Sequence, residues 1–303
     1  MLRSAAVSLS LLFALPLAAQ SAEEVEAARA LFRDGQFGAA LEVLDPAAKA
    51  GDAAAQNALG NAYHYGRGRP VDAAAAIAWY ERSVAQGNPL AMLNLAQLFR
   101  WGMEGQGPDH PRALALFRQA TEAGLAYAHG PLGQMHELGL GTPVDYARAA
   151  AHYAAAEGNT EALVDLGSLY LRGDGVAQDG ARARALFEEA AAANHPRGLT
   201  ALAQMLDFGL LETPPDHARA LALYQQAQAQ GYAYAGQLLS QFLSTDARPG
   251  PWHDPVRGHA FCLWALAVAN SDEHPRIAPT CEAQSAALTA PQRAEAAEIA
   301  KTL

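Results

Sequence analysis

Ten histidines, two cysteines and a series of Gly-x-Gly pairs are the residues of this chain whose types could do chemistry. His129 and His136 stand two helical turns apart, a spacing at which two imidazoles cannot share a metal without a third group. His64, His110, His195 and His217 fall beside expected loops or helix ends, where solvated polar side chains are ordinary. No ligand-spacing motif recurs, so the reading is satisfied or solvated histidine, with no metal and no cofactor. Cys262 and Cys281 are an even pair in a chain that begins like an exported one, which favours one disulfide between them. The rival is a thiolate–imidazole zinc site with His253, His259 or His274, which lacks the paired spacings of such sites. Enzyme signatures are missing: there is no Ser-x-x-Lys and no Gly-x-Ser-x-Gly, and His136-Glu137 lacks the second histidine of H-E-x-x-H. No catalytic residue is assigned. The Gly-x-Gly pairs at Gly66, Gly139 and Gly173 would cradle phosphate only after a strand, and each instead follows a helical pattern. The tripeptide Arg172-Gly173-Asp174 belongs to one of these loops.

The elements that must position these residues are helical. Alanine runs at 73–76, 149–151 and 190–193 combine the strongest helix former with a side chain small enough for close helix packing. The net charge is −10 and no basic block occurs, so a nucleic-acid partner is not expected. Residues 1–19 read as a signal peptide: Arg3, an apolar run over 5–17, then Ala18, Ala19 and Ala22, with cleavage as late as residue 22. The run is too short for a membrane anchor and no cysteine follows it for lipid attachment. The mature chain is expected in the periplasm or outside the cell, with no stable membrane insertion.

Helical stretches close on Gly51, Gly87, Gly124, Gly158, Asn194 and Gly231, at intervals of 34 to 37 residues. Asn194 is the informative member, because Asn is the best substitute for Gly in the left-handed conformation of a helix stop. Within each period a segment such as Leu59-Gly60-Asn61-Ala62-Tyr63 precedes a glycine loop and a second segment carrying Trp79-Tyr80, Leu116-Phe117, His152-Tyr153, Leu186-Phe187 or Leu223-Tyr224. One unit cannot bury that face alone, so the fold class is all-α, a solenoid of stacked helix-turn-helix repeats. The boundaries read as 53–88, 89–125, 126–159, 160–195, 196–232 and 233–270. Residues 22–52 and 271–303 are helical caps, the latter opening its last helix at Thr289-Ala290-Pro291-Gln292.

Ala162, Leu166-Gly167, Tyr170, Gly173-Asp174-Gly175-Val176, Asp179 and Leu186-Phe187 together resemble the Sel-one-like repeat family, relatives of tetratricopeptide repeats. The resemblance covers six units and implies a right-handed superhelix that binds proteins. It departs at Gly102-Met103-Glu104-Gly105, at Leu210-Leu211 and at an insert around Pro249-Gly250-Pro251. In such a superhelix the first helices line the concave side, where Asn61, Gln97, Gln134, Ser168, Gln204 and Gln241 form one column. Asn57 flanks it on one side, and His64, Arg100, Glu137 and Asp207 on the other. These side chains could grip an extended peptide backbone or sugar hydroxyls; the same amides could instead bond to one another between stacked helices. The expectation is a non-catalytic scaffold for a protein or peptide partner in the bacterial envelope. The alternative is a binder of cell-wall glycan fragments or a β-lactam-interacting enzyme, although the cysteine pairs of the repeat proteins linked to that chemistry are missing.

Overall fold

The computed structural model describes residues 21–211, 213–245 and 252–303. The expected signal peptide and the Pro249-Gly250-Pro251 insert lie outside them. Among the described residues the chain forms sixteen α-helices and no strand, grouped into two compact units that divide at Leu125. None of these helices is long and apolar enough to cross a membrane.

The first unit holds α1 (Ala22–Arg33), α2 (Phe37–Ala50), α3 (Ala53–Tyr65), α4 (Ala73–Val84), α5 (Pro89–Trp101) and α6 (His110–Glu122). The second holds α7 (His129–Leu138), α8 (Tyr146–Ala155), α9 (Thr160–Arg172), α10 (Gly180–Ala192), α11 (Pro196–Phe208), α12 (His217–Gln228), α13 (Ala233–Ser244), α14 (Pro255–Val268), α15 (His274–Ala287) and α16 (Ala290–Ala300). Within each unit, first and second helices pair as α3 with α4, α5 with α6, and so on to α13 with α14.

Local chemistry sets the boundaries. An aspartate starts every second helix: Asp72, Asp109, Asp145, Asp179, Asp216 and Asp254 each accept a backbone N–H three residues on. Each satisfies a donor that the first turn leaves orphaned. Left-handed stops close the pairs, and Asn194 adopts φ 57°, the conformation expected of it in place of glycine. The last helix opens as read, with a reciprocal capping box between Thr289 and Gln292.

Packing explains the Leu-Gly motif. A side chain at Gly133 would approach the Tyr153 ring to 2.7 Å, and one at Gly167 would approach the Phe187 ring to 2.6 Å. The glycine is therefore the socket for the aromatic residue of the second helix. Of each bulky pair, the second member enters it: Tyr80, Phe117, Tyr153, Phe187 and Tyr224 are essentially inaccessible. Burial of each ring contributes about 2–3 kcal/mol. In the second unit Cys262 of α14 and Cys281 of α15 form a disulfide, with a Cα–Cα distance of 5.5 Å.

Candidate functional site

In the first unit α3 and α5 lie side by side behind α1. Asn94 Nδ2 donates to Asn57 Oδ1 at 2.9 Å, and the Tyr80 hydroxyl donates to Asn61 Oδ1 at 2.8 Å. His64 Nδ1 sits 3.3 Å from the same hydroxyl. Burial, reinforced by Arg67, holds the His64 imidazole below its usual range, while burial pushes the Tyr80 phenol up. Both groups are neutral at neutral pH, so the phenol remains a donor to Asn61. Asn57, Asn61 and Asn94 then wall a pocket of about 180 Å³ with Arg29, Phe32 and Arg33 of α1 and Leu90 of α5. Amide edges and two cations surround a small apolar floor. Such a set can bind a peptide backbone and one side chain.

In the second unit the same column is a ladder. Gln134 of α7 donates to Asp165 Oδ2 at 3.2 Å, and Arg197 of α11 reaches Asp165 Oδ1 at 2.6 Å, so one buried carboxylate on α9 ties three first helices together. Glu137 accepts from the Tyr153 hydroxyl at 2.6 Å and pairs with Arg172 at 3.2 Å. Gln204 Nε2 lies 3.4 Å from the Tyr234 hydroxyl of α13. Ser168 donates into its own helix, to the Val164 carbonyl at 2.8 Å. Gln241 is exposed, and Gln97 in the first unit is half-buried.

Of the eleven residues expected on the open face, three lie inside. Asn57, Arg100 and Asp207 are buried. Asn57 turns to Asn94, the Arg100 guanidinium lies 4.6 Å from the Trp101 ring centroid, and Asp207 meets His217 of α12 at 3.2 Å. The reason is angular: residues three and four apart spread across a stripe, and its margins rotate into neighbouring side chains.

Two features escape the sequence reading. The residue just before each loop glycine is an exposed large apolar one in four repeats: Tyr65 (52%) and Trp101 (69%) in the first unit, Leu138 (60%) and Phe208 (59%) in the second. Arg67 covers the Tyr65 ring at 4.9 Å. The signal was present as apolar residues preceding Gly66, Gly102, Gly139 and Gly209 in the register of the repeat. The other feature is the third partner that His129 and His136 required. His152 of α8 places Nδ1 3.0 Å from His129 Nδ1 and stacks on His136 with ring planes 12° apart. Burial, then its two imidazole neighbours, bring His152 down to about 4. At neutral pH His129 and His152 are uncharged, and the cluster joins α7 to α8. Among the described residues no group of three or more histidine, cysteine or acidic side chains is arranged to hold a metal ion.

Known proteins share the repeat architecture. The Sel1 repeat model matches residues 53–88, 89–125, 126–157, 160–195 and 196–232. An uncharacterized protein of Neisseria meningitidis serogroup B is 33% identical over 209 residues, 69% of this chain and 43% of its own length. Protein sel-1 homolog 2 of Rattus norvegicus is 36% identical over 111 residues, 36% of this chain and 16% of its own length. The chain thus spans less than half of each of these relatives. A Sel1 repeat protein from Oxalobacter formigenes superposes with a TM-score of 0.73 at 26% identity, covering 81% of this chain and 97% of the other. A protective antigen of uropathogenic Escherichia coli with an SLR fold superposes with a TM-score of 0.64 at 17% identity, over 92% of this chain and 75% of the other, a likeness of fold alone.

Proposed function

Because this chain belongs to the Sel1 repeat family, whose repeats mediate protein–protein interaction, we propose that it is a non-catalytic adaptor of the bacterial envelope. It holds a partner protein through an extended peptide laid against the first helices within a unit. The observation that supports this reading is the pocket on α1, α3 and α5, where asparagine amides and Arg29 and Arg33 surround Phe32 and Leu90. Neutral amides that both donate and accept suit a peptide backbone, and an apolar floor suits one anchoring side chain. The proposed residues are Asn61 and Gln97 in the first unit and Gln134, Glu137, Ser168, Gln204 and Gln241 in the second. Residues 1–19 act as a cleaved signal, and the Cys262–Cys281 disulfide is compatible with a periplasmic or secreted address.

Cross-linked capture from envelope extract, run beside a folded Asn61→Ala/Leu90→Ala variant, tests the adaptor and its pocket together. The expected result is a partner retained by the parent and lost by the variant. Retention by both would reject the pocket, and turnover of a chromogenic β-lactam by the parent would reject the non-catalytic role. N-terminal sequencing of the protein recovered from a periplasmic fraction should begin between residues 20 and 23; an uncleaved chain in the cytoplasm would reject the location.

A further inference from the structure

A second concave space lies in the second unit, between the starts of α13 and α15. It has a volume of about 500 Å³ and is lined by Tyr232, Tyr234, Gln237, Glu273, Arg276 and Ile277. We propose that this pocket is a binding site for a neutral saccharide, one or two rings of a glycan. The proposal goes beyond the protein-binding reading and does not depend on it.

Four observations point to this ligand class. First, the pocket is electrically balanced, with one carboxylate and one guanidinium. Arg276 takes part in no ion pair among the described residues, and Glu273 Oε2 accepts the Asn270 backbone N–H at 3.1 Å. A neutral ligand leaves this balance undisturbed and can hydrogen-bond to both groups. Second, the polar set mixes both hydrogen-bonding senses: a guanidinium that only donates, a carboxylate that only accepts, an amide and two phenols that do both. Adjacent sugar hydroxyls also donate and accept, and planar groups can meet two of them at once. Third, the walls are aromatic. The Tyr232 and Tyr234 rings meet edge to face at 6.1 Å, Tyr234 is 38% exposed, and Ile277 closes the base. Such rings offer an apolar face for sugar C–H groups while their hydroxyls stay in the polar layer. Burial raises the Tyr232 phenol, which keeps it protonated as a donor. Fourth, the volume falls within the roughly 300–1,000 Å³ of small-molecule sites.

The pocket wall is braced from behind. Ile277 packs with Cys262 and Cys281 in one buried cluster, so the disulfide holds the start of α15 against α14. Gln204 of α11 reaches the Tyr234 hydroxyl and fixes the opposite wall.

The test is a printed array of oligosaccharides ending in glucose, N-acetylglucosamine or mannose, followed by calorimetric titration of the strongest hit. Tyr234 and Arg276 are exposed, so Tyr234→Ala and Arg276→Ala leave the fold intact, as circular dichroism would verify. Each should weaken binding at least tenfold, whereas Asn61→Ala in the first unit should leave it unchanged. The proposal is overturned if no glycan on the array binds, if binding survives both substitutions, or if the pocket instead takes a peptide whose retention depends on the same two residues.

Discussion

His152 sits where three imidazoles crowd and water is partly excluded, so its charge is expensive. Facing it are His129 and His136 of α7, and Arg148 on its own helix adds to the repulsion. Its proton affinity in the folded state lies below the ordinary 6.5, near 4, so the unfolded chain binds the proton more readily. Stability from this cluster is therefore complete above pH 6.5 and is lost as pH falls toward 4. Thermal melts between pH 7 and pH 4.5 should show that decline, and His152→Gln should flatten it; an unchanged slope in the variant would refute the argument. Asp165 is the other residue with a large individual role. Its buried carboxylate holds Arg197 and Gln134 together, yet Arg197 retains 38% side-chain exposure and water can replace part of what it loses. Asp165→Ala should cost about 2 kcal/mol in urea unfolding, below the cost of breaking a fully buried pair. Neither role could be read from residue types alone. The histidines show no periodic spacing, and Asp165 acquires its partners only when α7, α9 and α11 align.

The repeating element is a socket and a knob. Gly167 leaves room for the Phe187 ring, and any side chain there must displace it. Gly167→Val should destabilise the second unit by about 1–3 kcal/mol through overpacking, and calorimetry should register it as a lowered Tm. This part of the fold was legible, because glycine beside leucine and an aromatic pair one helix later recur in register. Which member of each pair enters the core was not. Trp79 and Tyr80 are both large and apolar, and only the rotation of α4 against α3 sends Tyr80 inward while Trp79 stays half-exposed. The same rotation explains why Asn57, Arg100 and Asp207 leave the open face predicted for them. A stripe of helical positions tells which side of a helix is shared, and the neighbouring helix decides how far that stripe is covered.

At the scale of the whole molecule, the single covalent cross-link lies in the second unit and closes a separation of 19 residues between α14 and α15. Its removal by Cys262→Ser/Cys281→Ser should release about 3 kcal/mol of stabilisation by restoring freedom to the unfolded chain. The proposed saccharide pocket should weaken with it, because α15 carries Arg276 and Ile277 of its lining and is preceded by a third lining residue, Glu273. Chemical unfolding with and without reductant would measure the first effect, and an unchanged midpoint would contradict it.

The sequence by itself determined the all-α class, the repeat length and the helix stops down to the left-handed Asn194, and it favoured a cysteine pairing that the structure shows. Each of these depends on local backbone preference or on a pattern repeated often enough to fix its register. Only the tertiary structure decided which amides bond across the ladder, which apolar residues before the loop glycines stay exposed, that His152 completes the histidine cluster, and that α13 and α15 enclose a pocket. Those outcomes depend on distances between helices far apart along the chain, and such distances come from packing.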